Sequence, residues 1–194
     1  LFGSYVAFTG SVFLVAQDLQ VVRQTTPIQL GLSHVPFAVT LWLVSRQAGR
    51  LASAWGSART ISVGMVLLVA SFCLLTVTAG AASPAFTIVG TVVVGAGTGL
   101  VIPLASVVIL NDLPPSLTGS ASGTSMLARF AGASFGVAIL GTVLATAVGT
   151  GNAHADPAAF TTGVTAAYLA GTLVLLALTL AQWWALRSWR EPGT

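Results

Sequence analysis

The sequence predicts an all-α membrane protein with six transmembrane helices, and three observations lead to that prediction. First, 55% of the 194 residues are hydrophobic and 6% are charged, with a mean hydropathy of +0.94. An average soluble domain has about 25% charged residues, so most of this chain must face lipid. Second, six apolar runs are about long enough to cross a hydrocarbon core of ~30 Å. Third, the arginines are unequally distributed among the connections between these runs.

The six runs follow one another along the whole chain, at residues 1–22, 31–47, 60–80, 86–110, 118–148 and 161–187. The first has no basic segment before it and no small-residue cleavage site, so we do not interpret it as a signal peptide. The second reaches spanning length only if Ser33, His34 and Pro36 are included. Turn-forming sequences separate the runs: TTP, GAASP, NDLPP and GTGNAHADP.

Two prolines, Pro36 and Pro103, fall inside predicted helices, where we expect kinks. The backbone groups that such a proline frees must find partners on neighbouring helices or in a water-lined cavity. The sequence GAGTG precedes Pro103, but it lacks the spacing of a nucleotide-binding loop and follows no strand. Gly95, Gly97 and Gly99 are therefore predicted to serve helix packing or a bend.

The distribution of arginine predicts the orientation in the membrane. Six spans bring the 48–59 connection, the 111–117 connection and the C-terminus to one side, which holds Arg46, Arg50, Arg59, Arg187 and Arg190. The other side holds Arg23 as its only arginine. Positive residues favour the cytoplasmic side, so both termini are expected in the cytoplasm and the protein in the plasma (inner) membrane.

An arginine stands in the middle of the fifth run, which is otherwise rich in small residues. One face of the predicted helix, about 80° wide at 100° per residue, holds Ser122, Ser125, Arg129, Gly132 and Gly136. An arginine inside a span usually faces the bundle interior or an aqueous cavity. Two interpretations stay open: Arg129 snorkels or caps carbonyls, or Arg129 and Ser125 lie in a path for substrate or coupling ions.

Small residues also predict close contacts between helices, because backbones approach each other in lipid where side chains are small. The two pairs in the fifth run are Gly119/Gly123 and Gly132/Gly136.

Asp18 is the acidic residue within a predicted span. It is either an interfacial carboxylate near the external helix end or a protonatable group that lines the transport path.

The sequence does not contain the residue patterns that nucleic-acid binding, catalysis or metal binding would require. A nucleic-acid surface needs a stripe of cations with aromatic partners, and the basic residues here are scattered. No Ser/His/Asp, Cys/His or paired-carboxylate group predicts an enzyme. His154 and Asp156 offer two potential metal ligands where a site needs at least three, so neither a metal nor a cofactor is expected.

Five stretches together resemble a known family in their order and spacing: LQVVRQTTPIQLGLSHVP, GRLASAWGSAR, GAGTGLVIP, LPPSLTGSASG and ARFAGASFGVAILG. They are similar to the C-terminal half of major facilitator superfamily drug:H⁺ antiporters with fourteen spans, over roughly residues 5–145. The resemblance implies one half of a major facilitator-type bundle, built from two inverted three-helix repeats at residues 1–80 and 81–194. Arg129 stands where the family has Arg or Gln.

The resemblance also implies a cytoplasmic gating loop that includes Gly49, Arg50, Gly56 and Arg59. Two departures from the family pattern are visible. Ser53 and Ala54 stand where the loop motif has Asp and Arg, and Ala58 replaces another Arg, so this copy keeps Arg59 but lacks three of the four charges of the family's motif. Asp18 stands where the family usually has an aromatic residue.

The function that the resemblance implies is proton-driven export of a small lipophilic or cationic molecule by alternating access. The expected partners are membrane lipid, the substrate, protons and an N-terminal half of the same transporter. Two alternatives stay open: a truncated or regulatory six-helix module that acts by assembly, and a pore made by oligomerisation.

Overall fold

The computed structural model describes residues 1–79, 84–111, 114–148 and 157–188, and the protein is helical throughout these ranges apart from short connections. The helices in this described part are α1 (Phe2–Gln17), α2 (Pro27–Ser33), α3 (Val35–Trp55), α4 (Ser57–Thr78), α5 (Pro84–Asn111), α6 (Thr118–Val148) and α7 (Pro157–Ser188). A π-helical turn, Asp18–Val22, continues α1, and a 3-10 turn, Pro115–Leu117, precedes α6.

In the part of the chain that the structure describes, five helical segments are long and apolar enough to cross a membrane, so this is a multi-pass membrane protein. They are Pro27–Trp55, Ser57–Thr78, Ala85–Leu110, Thr118–Val148 and Ala158–Ala185. The remaining helix, α1, has 16 residues, fewer than the ~20 that a span needs. The π-helical turn extends its helical backbone to Val22, so a sixth segment exists where the sequence predicts one, with a different geometry at its end.

The second predicted span is longer than expected and is divided at His34. Thr26 begins α2 with a capping box: its hydroxyl accepts from Gln29 N at 3.3 Å, and its own N–H donates to Gln29 Oε1 at 2.9 Å. Pro36 then lies in the first turn of α3, where a missing N–H costs nothing. The expected interruption at Pro36 is thus the start of a helix.

The predicted 48–59 connection is corrected by the structure, because α3 ends at Trp55 and α4 begins at Ser57. Gly56 alone joins them, with φ of +87°, a conformation that strongly favours glycine. Gly49 and Arg50 belong to α3 and Arg59 to α4. Arginine, leucine and alanine favour helix here and no proline interrupts them, which is why the helices extend to a single-residue turn.

The middle helix of each predicted three-helix repeat packs against the first helix of the other repeat. Thus α6 lies against α1, and α3 lies against α5. Helix α4 packs between α5 and α7, and α7 also contacts α6. The shared core contains Leu14, Phe72, Leu140, Tyr168 and Leu175, each at most 2% exposed. Large apolar side chains cover the outer surface, as expected where helices meet lipid.

Glycines on α5 set its distance to both neighbours. A Cβ at Gly95 would lie 2.7 Å from Phe37 O, and one at Gly99 would lie 2.9 Å from another carbonyl oxygen of α3. Gly97 faces α4 instead, where a Cβ would lie 2.9 Å from Gly64 O. No real Cβ tolerates such distances to a backbone oxygen, so α5 approaches α3 and α4 only because these positions lack side chains.

Pro103 lies inside α5 and removes the hydrogen bond that Gly99 O would accept in a regular helix. Ser45 on α3 supplies a replacement, since its Oγ donates to Gly99 O at 3.3 Å. Close approach at Gly99 makes this contact possible. A freed carbonyl inside the bundle is therefore satisfied by the neighbouring helix, as the sequence led us to expect.

Candidate transport site

Arg129 is held at the junction of α1, α5 and α6. It lies about 16 Å along α6 from Thr118 at 1.5 Å per residue, well inside the helix. Gly132 and Gly136 bring α6 against α1: a Cβ at Gly136 would lie 2.6 Å from Val6 O, and one at Gly132 would collide with the carbonyl oxygen of Phe2. This close packing directs the Arg129 side chain towards the first turns of α1 and the last turns of α5.

The guanidinium of Arg129 has two described contacts across helices. Its Nη2 donates to Ser106 Oγ on α5 at 2.6 Å. Its Cζ lies 5.8 Å from the centre of the Tyr5 ring on α1, within the range of a cation–π contact. Nε is buried and has no hydrogen-bond partner among the described residues. The side chain thus reaches from the middle of α6 to Ser106, near the end of α5, and to Tyr5, near the start of α1. This conformation is compatible with both the snorkelling and the transport-path interpretation.

Two cavities meet at Ser125. We call the smaller one the Arg129 pocket; it measures about 190 Å³ and is lined by Ser106, Leu110, Ser122, Ser125, Met126 and Arg129. The larger one, the α1–α6 cleft, measures about 470 Å³ and is lined by Leu1, Phe2, Ile109, Leu117, Ser120, Ala121, Thr124, Ser125 and Ala128. Arg129 and Ser125 are thus brought together at one small pocket beside a larger cleft, and the lining of both is mostly apolar.

Asp18 belongs to a different part of the bundle. It is 3% exposed, and its Oδ2 lies 3.5 Å from Arg23 Nε within the π-helical turn. The turn packs against α7, and neither Asp18 Oδ1 nor the buried hydroxyl of Tyr168 has a hydrogen-bond partner among the described residues. Asp18 follows Tyr5 by about 20 Å along the helix, so it does not join the Arg129 pocket. Asp18 is thus a buried, ion-paired carboxylate at the end of α1.

The remaining predicted site residues have different surroundings. At Gly119 and Gly123 an added Cβ would meet no described atom within 4 Å, so these glycines contact no other helix in the described part of the chain. Gly49 and Gly56 are equally open. Arg50 and Arg59 are exposed and form no ion pair with the residues that the structure describes.

Three residues of these sites were missed by sequence reasoning. Ser106 and Tyr5 lie on helices other than that of Arg129, and only the packing of α1, α5 and α6 brings them together. Arg23 carries a visible signal, an opposite charge five residues after Asp18, but α-helical spacing would not pair the two. Among the described residues, no group of three or more potential ligands could hold a metal. His154 and Asp156 lie outside the described residues.

Comparison with known proteins identifies related transporters, although no family profile matches the chain. The multidrug resistance protein Stp of Mycobacterium tuberculosis is 32% identical over 141 residues, which is 73% of this chain and 26% of that protein. The tetracycline resistance determinant of Streptomyces rimosus is 32% identical over 140 residues, 72% of this chain and 40% of the relative. The tetracenomycin C resistance and export protein of Streptomyces glaucescens is 29% identical over 143 residues, which is 74% of this chain and 27% of that protein.

The chain spans about a quarter of the length of the first relatives that it matches. These relatives are resistance and export proteins, and each match covers about three-quarters of this chain. The chain is therefore homologous to the drug-efflux transporters of the major facilitator superfamily, and it matches the C-terminal half of a fourteen-span drug:H⁺ antiporter.

Proposed function

We propose that this chain is the C-terminal half of a proton-driven secondary transporter that exports small lipophilic or cationic compounds by alternating access. The observation that carries the proposal is the Arg129 pocket, an open pocket between α5 and α6 in which an arginine and three serines lie among apolar side chains, in a chain related to efflux pumps. An arginine within a span is costly and is usually retained for a substrate or ion path. In this role the chain is a carrier and not an enzyme.

The packing supports a division into two inverted triplets, residues 1–80 and 81–194. Inversion about an axis in the membrane plane exchanges α1 with α5 and α3 with α6. Under that exchange the α1–α6 contact becomes the α5–α3 contact, and both contacts are extensive and contain closely approached glycines. Such repeats are the usual architecture of transporter halves, which rock against each other around a central site.

The helix ends that the predicted orientation places in the cytoplasm all lie at one end of the bundle. The starts of α1 and α6 meet the end of α5 at the α1–α6 cleft. A second cavity, of about 330 Å³, joins the start of α1 with Ile61 near the start of α4 and Gln182 near the end of α7. Arg50 and Arg59 lie at the corresponding ends of α3 and α4, and Trp183 and Trp184 are exposed near the end of α7, as at an interface. We infer that this end is cytoplasmic, in the plasma membrane.

Within this proposal, Arg129 and Ser125 belong to the transport path, which opens towards the α1–α6 cleft. Asp18 is the candidate coupling group, since it is the acidic residue inside the described bundle. Gly132 and Gly136 let α6 lie at short distance from α1, and Gly97 does the same for α5 and α4. An N-terminal half, corresponding to other parts of the relatives, would complete the central cavity.

The proposal is tested by transport in everted membrane vesicles that contain the protein expressed from its complete open reading frame. We expect uptake of ethidium or tetracycline on imposing a pH gradient that is acidic inside, and loss of uptake when nigericin collapses that gradient. Vesicles from cells with the empty vector are the control. Absence of uptake of both compounds, or uptake that nigericin leaves unchanged, would contradict proton-driven export.

A further inference from the structure

We propose that the Arg129 pocket binds an acidic group, a carboxylate or an ionised phenol, on the transported compound. This inference rests on the proposed transport function and narrows its substrate class. Of the lipophilic and cationic compounds in the proposed function, the pocket selects the lipophilic ones: those with an apolar body and one acidic end would bind this pocket better than neutral or cationic compounds of the same shape. Three features of the pocket carry the inference: the unused donors of Arg129, the lack of a counter-ion for it among the described residues, and the size and lining of the cavity.

Arg129 keeps unused donor capacity in the described structure. A guanidinium carries five N–H donors in a planar fork that matches a carboxylate. One donor bonds to Ser106 Oγ at 2.6 Å, and the buried Nε has no partner among the described residues. Ser106 Oγ in turn lies 2.7 Å from Ile102 O, to which it donates its own proton. The serine therefore orients the guanidinium without neutralising it.

The positive charge of Arg129 has no described counter-ion. Asp18 is the acidic residue that the structure describes, and its carboxylate is paired with Arg23 at the far end of α1. The Tyr5 ring offers a weak cation–π contact at 5.8 Å. Transfer of an unpaired charge into an apolar environment is strongly unfavourable, and an anion bound by charge-assisted hydrogen bonds offsets that cost. The site thus favours a ligand with negative charge.

The size of the pocket fits one acidic group rather than a whole substrate. Its 190 Å³ is below the ~300 Å³ at which pockets for drug-sized ligands begin. Leu110 and Met126 give apolar walls, and the hydroxyl of Ser125 borders both this pocket and the 470 Å³ α1–α6 cleft. An acidic end at Arg129 with an apolar body in the cleft uses both spaces.

The test is binding of three probes of matched shape: 2-naphthoate, 2-naphthylmethanol and 2-naphthylmethylammonium. The protein from its complete open reading frame is placed in phosphatidylcholine nanodiscs at pH 8, and binding is measured by equilibrium dialysis against empty discs. We expect 2-naphthoate to bind about tenfold more tightly than 2-naphthylmethanol, as one charge-assisted pair would provide. The ammonium probe should bind most weakly.

Substitutions of Arg129 test whether the preference for 2-naphthoate arises at the Arg129 pocket. Arg129→Gln, which keeps a planar donor without charge, should abolish the preference, and Arg129→Lys should retain part of it. Arg46→Gln is the matched control, because Arg46 is exposed and lies over the Trp42 ring at 4.7 Å. Equal binding of all three probes to the wild type, or a preference that survives in Arg129→Gln, would overturn the inference.

The anion in the pocket could also be the phosphate of a lipid headgroup. A second binding experiment distinguishes a lipid phosphate from an acidic substrate. In discs with one-fifth phosphatidylglycerol, 2-naphthoate binding should persist if the pocket is reserved for substrate. Loss of naphthoate binding in these discs would overturn the inference and assign the pocket to a lipid headgroup. Because these are binding measurements, they are distinct from proton-driven transport: the probe preference can fail while export continues, and export can fail while the preference remains.

Discussion

The carboxylate of Asp18 and the guanidinium of Arg23 form an ion pair, with 3.5 Å between Oδ2 and Nε, across a single π-helical turn. The backbone follows the same spacing, since the N–H of Arg23 donates to the carbonyl oxygen of Asp18 at 3.3 Å. In a regular α-helix, residues five apart point about 140° away from each other. The wider turn removes most of that angle and lets the two charges meet in a mostly buried position.

Breaking this pair from the Arg23 side should destabilise the protein more than removing both charges. Arg23→Gln leaves a buried carboxylate without its cation, which costs about 3 kcal/mol of unfolding free energy, whereas Asp18→Asn with Arg23→Gln should recover most of it. Thermal unfolding of the purified variants in one detergent measures the difference. Arg46→Gln, an exposed arginine, serves as control. A double variant as unstable as Arg23→Gln alone would show that the pair contributes nothing.

The coupling role of Asp18 has a separate readout. If Asp18 takes up and releases the driving proton, Asp18→Asn in the complete protein should uncouple export from the pH gradient while membrane abundance stays normal. The measurement is initial export rate against imposed pH difference, per amount of protein in the membrane. An unchanged dependence on the pH gradient would leave Asp18 with a structural role beside Arg23 and Tyr168.

The substitution series at Arg129 separates its charge from its packing. Arg129→Lys should reduce export severalfold, since an ammonium cannot both bond to Ser106 and present a fork to a ligand. Arg129→Gln, the family's alternative residue, should retain more activity than Arg129→Ala, for which we expect about a tenfold loss. Rates are measured in proteoliposomes and normalised to inserted protein. Wild-type rates for both Lys and Ala would eliminate a functional role for this side chain.

The same substitution, glycine to alanine, should have opposite effects on the melting temperature at two positions of α6. Gly136→Ala would bring a methyl group to 2.6 Å from Val6 O, so α6 must move away from α1 and the melting temperature should fall. Gly123→Ala meets no described atom within 4 Å and should be neutral or stabilising, because alanine favours helix by about 1 kcal/mol over glycine. Equal melting temperatures for the two variants would argue against tight α1–α6 packing.

The orientation is tested by cysteine labelling in a Cys73→Ala background, which removes an exposed native thiol. A cysteine at Ser53, exposed near the end of α3, should react from the cytoplasmic side. A cysteine at Ala153, in the connection between α6 and α7 and outside the described residues, should react from the external side. An impermeant maleimide added to intact cells or to everted vesicles distinguishes the sides. Labelling of both positions from the same side would rule out the proposed topology.

Composition and apolar length were enough to predict the class of fold and most of the helices, because lipid imposes both on every span. The exact connections were not predictable in the same way. Pattern reasoning overestimated the link between α3 and α4, since Gly49 resembles a loop residue yet lies in a helix, whereas Gly56 alone makes the turn. The π-helical turn after Gln17 also has no clear sequence signature.

The candidate site was predictable only as far as one helix carries it. Arg129 and Ser125 share a face by periodicity alone, so their joint position at the pocket followed from the sequence. Ser106 and Tyr5 complete the surroundings of the guanidinium from α5 and α1. Their approach depends on how three helices pack, which a pattern within one helix does not encode.

The hydrogen bond from Ser45 to the carbonyl oxygen of Gly99 limits how the bundle can rearrange. Pro103 denies that oxygen its donor within α5, and hydrocarbon contains no water to replace the serine. Sliding α3 away would therefore leave a bare carbonyl in the membrane, at a cost of several kcal/mol. We therefore expect the middle of α5 and the adjoining part of α3 to move together if the two ends of the bundle open and close in turn.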